Sequence, residues 1–272
     1  NVKSLIFLAL IGLKNPLHVK TIKTNINLGF NLLDSALKTK VEKIIFAGSY
    51  FQDIYKKNQD LYTLTKNYIE DIQKFYSNTY NLNNSSLHFG DIYGPKDSRD
   101  KLIPYLLRNE NNKEIKFDSN GQAPFTPVFI DDAIESIQNE IFTKSRNNFN
   151  SKLIASELMT VEDFIKKYKG IRGKKFKCIF SSIESKIYSP ESFLKPENIK
   201  IPLSEGLLKL WFCMIVVDTL FKTSFFRGFI KIRSIFKKQF PTHTHEFKKE
   251  NVFIYENLLD LIKDIKKEVA ID

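Results

Sequence analysis

Cysteine is nearly absent: two residues in 272, Cys178 and Cys213, far apart and at no metal-ligand spacing. This excludes a disulfide-built scaffold and a cysteine zinc site, and it points to a reducing compartment, read here as the cytoplasm. His243 and His245, with Glu246 beside them, form only a weak ligand pair and read better as loop side chains, so no metal is expected. No apolar run reaches the length of a bilayer span. The opening "NVKSLIFLAL" has an apolar stretch of only a strand's length and no small-residue cleavage site after it, which does not read as a signal peptide. Glycine is sparse, at 10 residues, and nowhere gathers into a Gly-x-x-Gly-x-x-Gly turn of the kind that cradles phosphate. Acids number 31 against 42 Lys and Arg, a net charge of +11. That excess suggests anionic partners such as nucleotides, nucleic acid or an anionic membrane surface. A lysine-rich composition could equally produce it without any such partner.

The remainder is ordinary for a globular protein, with 42% apolar and 27% charged residues. The chain is long enough for one large domain or two modest ones. "SLIFLAL" (4–10) and "KIIFAGS" (43–49) are short continuous apolar runs, as expected of strands buried on both faces of a parallel sheet. Between them Ile26, Phe30, Leu33 and Leu37 fall at helical spacing. After them Leu64, Tyr68, Ile72 and Phe75 form one stripe of a second helix. "SSLHFGDIYGP" (85–95) reads as a strand running into a turn. Strand, helix, strand, helix, strand predicts a parallel α/β sheet with right-handed crossovers. Further on, "DKLIPYLLRN" and "DDAIESIQNEIF" read as helices, and "KEIKF" and "TPVFI" as short strands. "TVEDFIKKYKG" reads as a helix with Thr160 at its N-cap and Gly170 just past its end. The segment 222–240 is basic and phenylalanine-rich. It could lie on an anionic membrane as a peripheral contact, or cover a neighbouring apolar surface.

Ser49 ends an apolar strand, and Tyr62 and Lys66 follow one helical turn apart. Chance supplies a Tyr-x-x-x-Lys in a chain this rich in both, so spacing decides nothing. An exposed pair on a helix and a loop hydroxyl would fit equally well. Position says more. The C-terminal end of a strand in a parallel α/β sheet faces the ligand crevice. There a tyrosine can shuttle a proton, a serine can orient an oxygen, and a nearby ammonium favours the phenolate.

These pieces come in an order that resembles the extended short-chain dehydrogenase/reductases, the NAD-dependent epimerase/dehydratase family. "NINLGFNLLDSA", "IIFAGS", "YTLTK", "GDIYGPKDSRDKL" and "VFIDDAIESI" match its motifs in family order, over about residues 4 to 143. The resemblance is nearest to reductases and epimerases of deoxysugar and O-antigen biosynthesis, of the CDP-abequose synthase type. It implies an α/β fold: a Rossmann-like parallel sheet, incomplete at the N-terminus, over 1–145, with part of 95–130 serving the substrate. A smaller C-terminal α+β substrate-binding region would occupy 146–272. It implies an NAD- or NADP-dependent epimerase, reductase or dehydratase of a nucleotide-activated sugar, and a homodimer. Tyr62 would be the acid/base, Ser49 its hydrogen-bonding partner, and Lys66 the ligand of the nicotinamide ribose that lowers the Tyr62 pKa. Ala9 and Leu10 would line the cofactor. Asp91, Tyr93, Arg99 and Lys101 would face the sugar nucleotide. The family's glycine turn would precede all of this, so the chain is expected to be part of a longer one. A non-catalytic relative that binds a sugar nucleotide or a partner is the alternative. The resemblance implies no nucleic acid.

Overall fold

The computed structural model describes residues 3–7, 19–55, 60–95, 97–143, 148–185 and 199–222. Ala9, Leu10 and all of the 222–240 segment except Lys222 lie outside them. By contacts the chain divides into two units, Asn1–Lys209 and Leu210–Asp272. Among the described residues no helix is long and apolar enough to cross a membrane.

The first unit opens with β1 (Ser4–Phe7), α1 (Val19–Thr39), β2 (Lys43–Ser49), the short α2 (Phe51–Ile54), α3 (Leu61–Tyr80) and β3 (Asn84–Phe89). Next come β4 (Asp91–Tyr93), α4 (Leu102–Asn109), β5 (Glu114–Phe117), β6 (Pro124–Phe125), β7 (Pro127–Phe129), α5 (Ile130–Phe142) and β8 (Phe149–Ile154). β9 (Met159–Thr160), α6 (Val161–Arg172), β10 (Lys177–Phe180) and α7 (Leu203–Lys222) complete the described elements. Among the described residues the main sheet has four strands in the order β1-β2-β3-β8, all parallel. β8 joins it beyond residue 145, so the sheet runs past the boundary expected there. Three two-stranded pairs, β4 with β7, β5 with β10 and β6 with β9, build the region beside it.

β2 is buried on both faces, as its unbroken apolar run requires. Ile44 and Phe46 pack with Leu33, Ala36, Ile69 and Tyr76 on the α1/α3 side. Ile45, on the opposite face, packs with Leu87, Val128, Ala133 and Ile154 on the α5 side. At the strand starts the layers are tied by a buried ion pair: Lys43 Nζ lies 2.5 Å from Glu140 Oε1, which also accepts from Ser85 Oγ at 2.6 Å.

Capping explains the long helices. Asp60 accepts from the Thr63 N–H at 2.8 Å to start α3, and Asn81, left-handed at φ 61°, ends it. Thr160 caps α6 through the Asp163 N–H, as expected. Its end differs from expectation: the helix runs through Gly170 to Arg172, and Gly173 supplies the left-handed residue. Pro104 sits in the first turn of α4, where its missing N–H costs nothing. The stripe expected to face the core on α3 is largely outward. Ile72 is buried, but Leu64, Tyr68 and Phe75 are exposed, as is Phe30 on α1. The face turned to the sheet and to α1 is instead Thr65, Ile69, Ile72, Gln73 and Tyr76.

Candidate active site

Ser49, Tyr62 and Lys66 come together at the C-terminal end of β2. Ser49 is the last residue of the strand, and its Oγ accepts weakly from the Phe51 N–H at 3.4 Å. That contact sits at the start of α2 and leaves the serine O–H free to donate. Tyr62 and Lys66 occupy the first turns of α3, with the Lys66 Nζ 5.5 Å from the Tyr62 ring centroid. The Lys66 ammonium donates to the carbonyl of Ala47, two residues before Ser49. Helix and strand are thus joined at the site.

Burial sets the electrostatics. It pushes the Lys66 pKa down to about 8. It also pushes the Tyr62 phenol up; a hydrogen bond from Ser49 pulls the other way, and Asp60 and Asp91 add to the rise. The net direction is upward, where the sequence led us to expect a downward pull from Lys66. Desolvation is the largest contribution, and the lowering influence comes from Ser49 rather than from Lys66.

Asp91, just past β3, accepts from the Thr126 N–H at 3.2 Å, with the Tyr50 hydroxyl nearby. Burial raises its pKa to about 6, against the pull of Thr126, Tyr50, Lys101 and Arg99. Tyr50 in turn donates to the Pro124 carbonyl at 3.0 Å. Gly90 permits this approach, since a Cβ there would lie 2.4 Å from the Thr126 carbonyl oxygen. Tyr93 is buried edge-on against Phe129, with ring centroids 5.4 Å apart. Arg99 is exposed and holds the turn after β4: it pairs with Asp97 at 2.8 Å and donates to the Ile92 carbonyl at 2.9 Å. Lys101 is exposed at the N-terminus of α4. Asp132, read from the sequence as part of a helix start, is buried and accepts the Lys200 N–H at 2.9 Å and the Ile201 N–H at 3.2 Å.

Sequence reasoning missed a buried polar group under Ser49: Gln52, Asp53, Glu70 and His88, none more than 8% exposed. A histidine inside a strand buried along its whole length was the available signal.

Residues 8–139 match the family model described as the NAD dependent epimerase/dehydratase family. A CDP-abequose synthase of Salmonella typhimurium is 27% identical over 109 residues, 39% of this chain and 36% of the relative. The match thus spans about a third of that curated protein's length. Among solved structures, UDP-glucose 4-epimerase of Thermotoga maritima, with UDP-glucose, superposes with a TM-score of 0.63 at 19% identity. That similarity covers 80% of this chain and 78% of the epimerase. UDP-glucuronic acid 4-epimerase of Bacillus cereus, in complex with UDP-glucuronic acid and NAD, gives 0.59 at 18% identity, covering 75% and 72%. At these identities the structural likeness establishes a Rossmann-type fold.

Proposed function

We propose, from the match of residues 8–139 to the NAD dependent epimerase/dehydratase family model, that the chain reduces, epimerises or dehydrates a nucleotide-activated sugar, with NAD or NADP as cofactor and Tyr62 as the acid/base. The observation that carries this reading is the convergence of Ser49, Tyr62 and Lys66 at the C-terminal end of a central parallel strand.

The donor set suits a dinucleotide's nicotinamide ribose. An ammonium has three donors. Lys66 spends one on Ala47, which leaves two for vicinal hydroxyls. Ala9 and Leu10 would add backbone contacts by family likeness. A bound NAD or NADP would supply or accept hydride. Tyr62, its phenol raised by burial, holds its proton at neutral pH and delivers it to the sugar oxygen at the reacting carbon; in the reverse direction its phenolate takes that proton back. Ser49 donates to the same oxygen and fixes its direction. Lys66, at about 8, exchanges protons with water readily enough to reset the tyrosine. By family likeness Asp91, Arg99 and Lys101 would line the sugar-nucleotide side, the two cations matching a pyrophosphate, whereas Tyr93 is buried against Phe129. A cytoplasmic setting suits the scarce cysteines.

A homodimer is part of this reading. Leu64, Tyr68, Phe75 and Tyr80 on α3, with Leu28 and Phe30 on α1, are large apolar side chains left exposed on the helix pair. A second copy presenting the same face would cover them.

Fluorescence titration of NADH and NADPH, with saturation-transfer NMR of CDP- and UDP-sugars, tests the proposal. Binding of one dinucleotide and one sugar nucleotide is expected. Sugar-nucleotide binding without either dinucleotide would point instead to the non-catalytic relative.

A further inference from the structure

His88, on β3, lies between two carboxylates from two other elements. Its Nδ1 is 2.9 Å from Asp53 Oδ2 on α2, and its Nε2 is 2.6 Å from Glu70 Oε2 on α3. Ser151 Oγ, from β8, is 3.3 Å from the same Nε2, and Lys74 completes the set with 3.0 Å to Glu70. Two buried carboxylates at this spacing need a cation between them, because either charge left unpaired would be costly. Burial works against the ring's charge, yet the two carboxylates raise the His88 pKa to about 9.

The cluster continues to the active site through one side chain. Gln52 donates to Glu70 Oε2 at 2.9 Å and accepts the Ser49 N–H at 2.9 Å. Its amide also reaches Asn67 at 3.2 Å. Gly48 shows how tightly the ring lies under this turn. A Cβ there would be 2.3 Å from the His88 ring and 2.9 Å from Gln52 Oε1. The residue beside Ser49 therefore has no side chain, and the imidazole takes its place.

We propose that His88 is a positioning residue: by holding Asp53 of α2 and Glu70 of α3 together, it fixes the turn that presents Ser49 against the helix that presents Tyr62. The placement of Ser49 toward Tyr62 is then set through Glu70 and Gln52. The assignment rests on the reading of Tyr62 as the proton carrier. A purely structural ion cluster would stabilise the fold without touching the phenol's ionisation.

The test places 3-fluorotyrosine at position 62 and follows its single fluorine resonance through a pH titration, in the parent chain, in His88→Gln and in Gln52→Leu. The fluorine lowers the phenol pKa and keeps the titration below alkaline unfolding. Melting curves check that each variant is folded. Both variants are expected to raise the midpoint by about half a unit or more, as the Ser49 bond to the phenolate is lost. Gln52→Leu changes no charge, so its shift is not a long-range field effect. The His88→Gln shift is expected to persist in about 1 M salt, where a distant charge is screened. An unchanged midpoint in folded Gln52→Leu, or a His88→Gln shift that salt abolishes, would overturn the proposal. If His88→Gln does not fold, Gln52→Leu decides alone.

No dinucleotide or sugar enters this measurement. A shift in a chain that turns over no sugar nucleotide keeps the clamp and removes the enzyme reading. An active chain without the shift does the reverse.

Discussion

Tyr62 and Lys66 lie within one helical turn of each other, and burial moves them in opposite directions. The phenol is pushed up and the ammonium is pushed down to about 8. At neutral pH the pair therefore keeps a protonated tyrosine beside a lysine that can lose its proton, which suits proton delivery in a carbonyl reduction. If the ammonium form is the working one, turnover falls as pH rises through about 8. Lys66→Arg keeps its charge above that pH, so this alkaline limb is expected to vanish from the pH–rate profile of the variant, whatever its absolute rate. An identical limb in both would assign it elsewhere. The three residues were legible in the sequence because the apolar run before Ser49 and the helix start at Tyr62 put them at the crevice end of a parallel sheet. The direction of the Tyr62 shift was not. It depends on how deeply the ring is buried and on Asp91, which is distant in sequence.

α2, α3 and β3 are held together by charge as well as by apolar packing, and this has a pH signature. The His88 pKa rises from 6.5 to about 9 on folding. The folded chain binds the extra proton, so this stabilisation is complete below about 6.5 and is lost as pH rises through 9. Lys66 acts in the opposite sense, and only above about 8. The melting temperature is thus expected to fall between pH 6.5 and 8, and His88→Gln to flatten that decline; scanning calorimetry across the window measures it. The strands and helices themselves were readable from periodicity and caps. Which face of α3 turns inward was not. A helix lying on a sheet and against α1 buries Thr65, Gln73 and Ile69, while its more apolar stripe of Leu64, Tyr68 and Phe75 stays outside. Periodicity locates a stripe but cannot say whether a sheet or a second subunit covers it. The cluster around His88 escaped for a related reason: its members come from three separate stretches and meet only in the fold.

For the whole molecule, the proposed dimer would form through the exposed face of α1 and α3. Light scattering is expected to give twice the chain mass, and Tyr68→Glu with Phe75→Glu to give a folded monomer. A parent chain monomeric at high concentration would remove the dimer. The net charge of +11 suits an anionic substrate such as a nucleotide sugar, although charge alone selects no particular one. The Rossmann-type sheet brings Ser49, Tyr62 and Lys66 together at the C-terminal end of β2, so the central claim is the proton transfer proposed there. It is tested most directly by comparing the chain with Tyr62→Phe for conversion of a bound nucleotide sugar in the presence of NAD(P)H. Loss of the acid/base hydroxyl should slow turnover by about 10²-fold or more, with sugar-nucleotide affinity held within a few-fold. Equal rates in the two proteins would contradict the account.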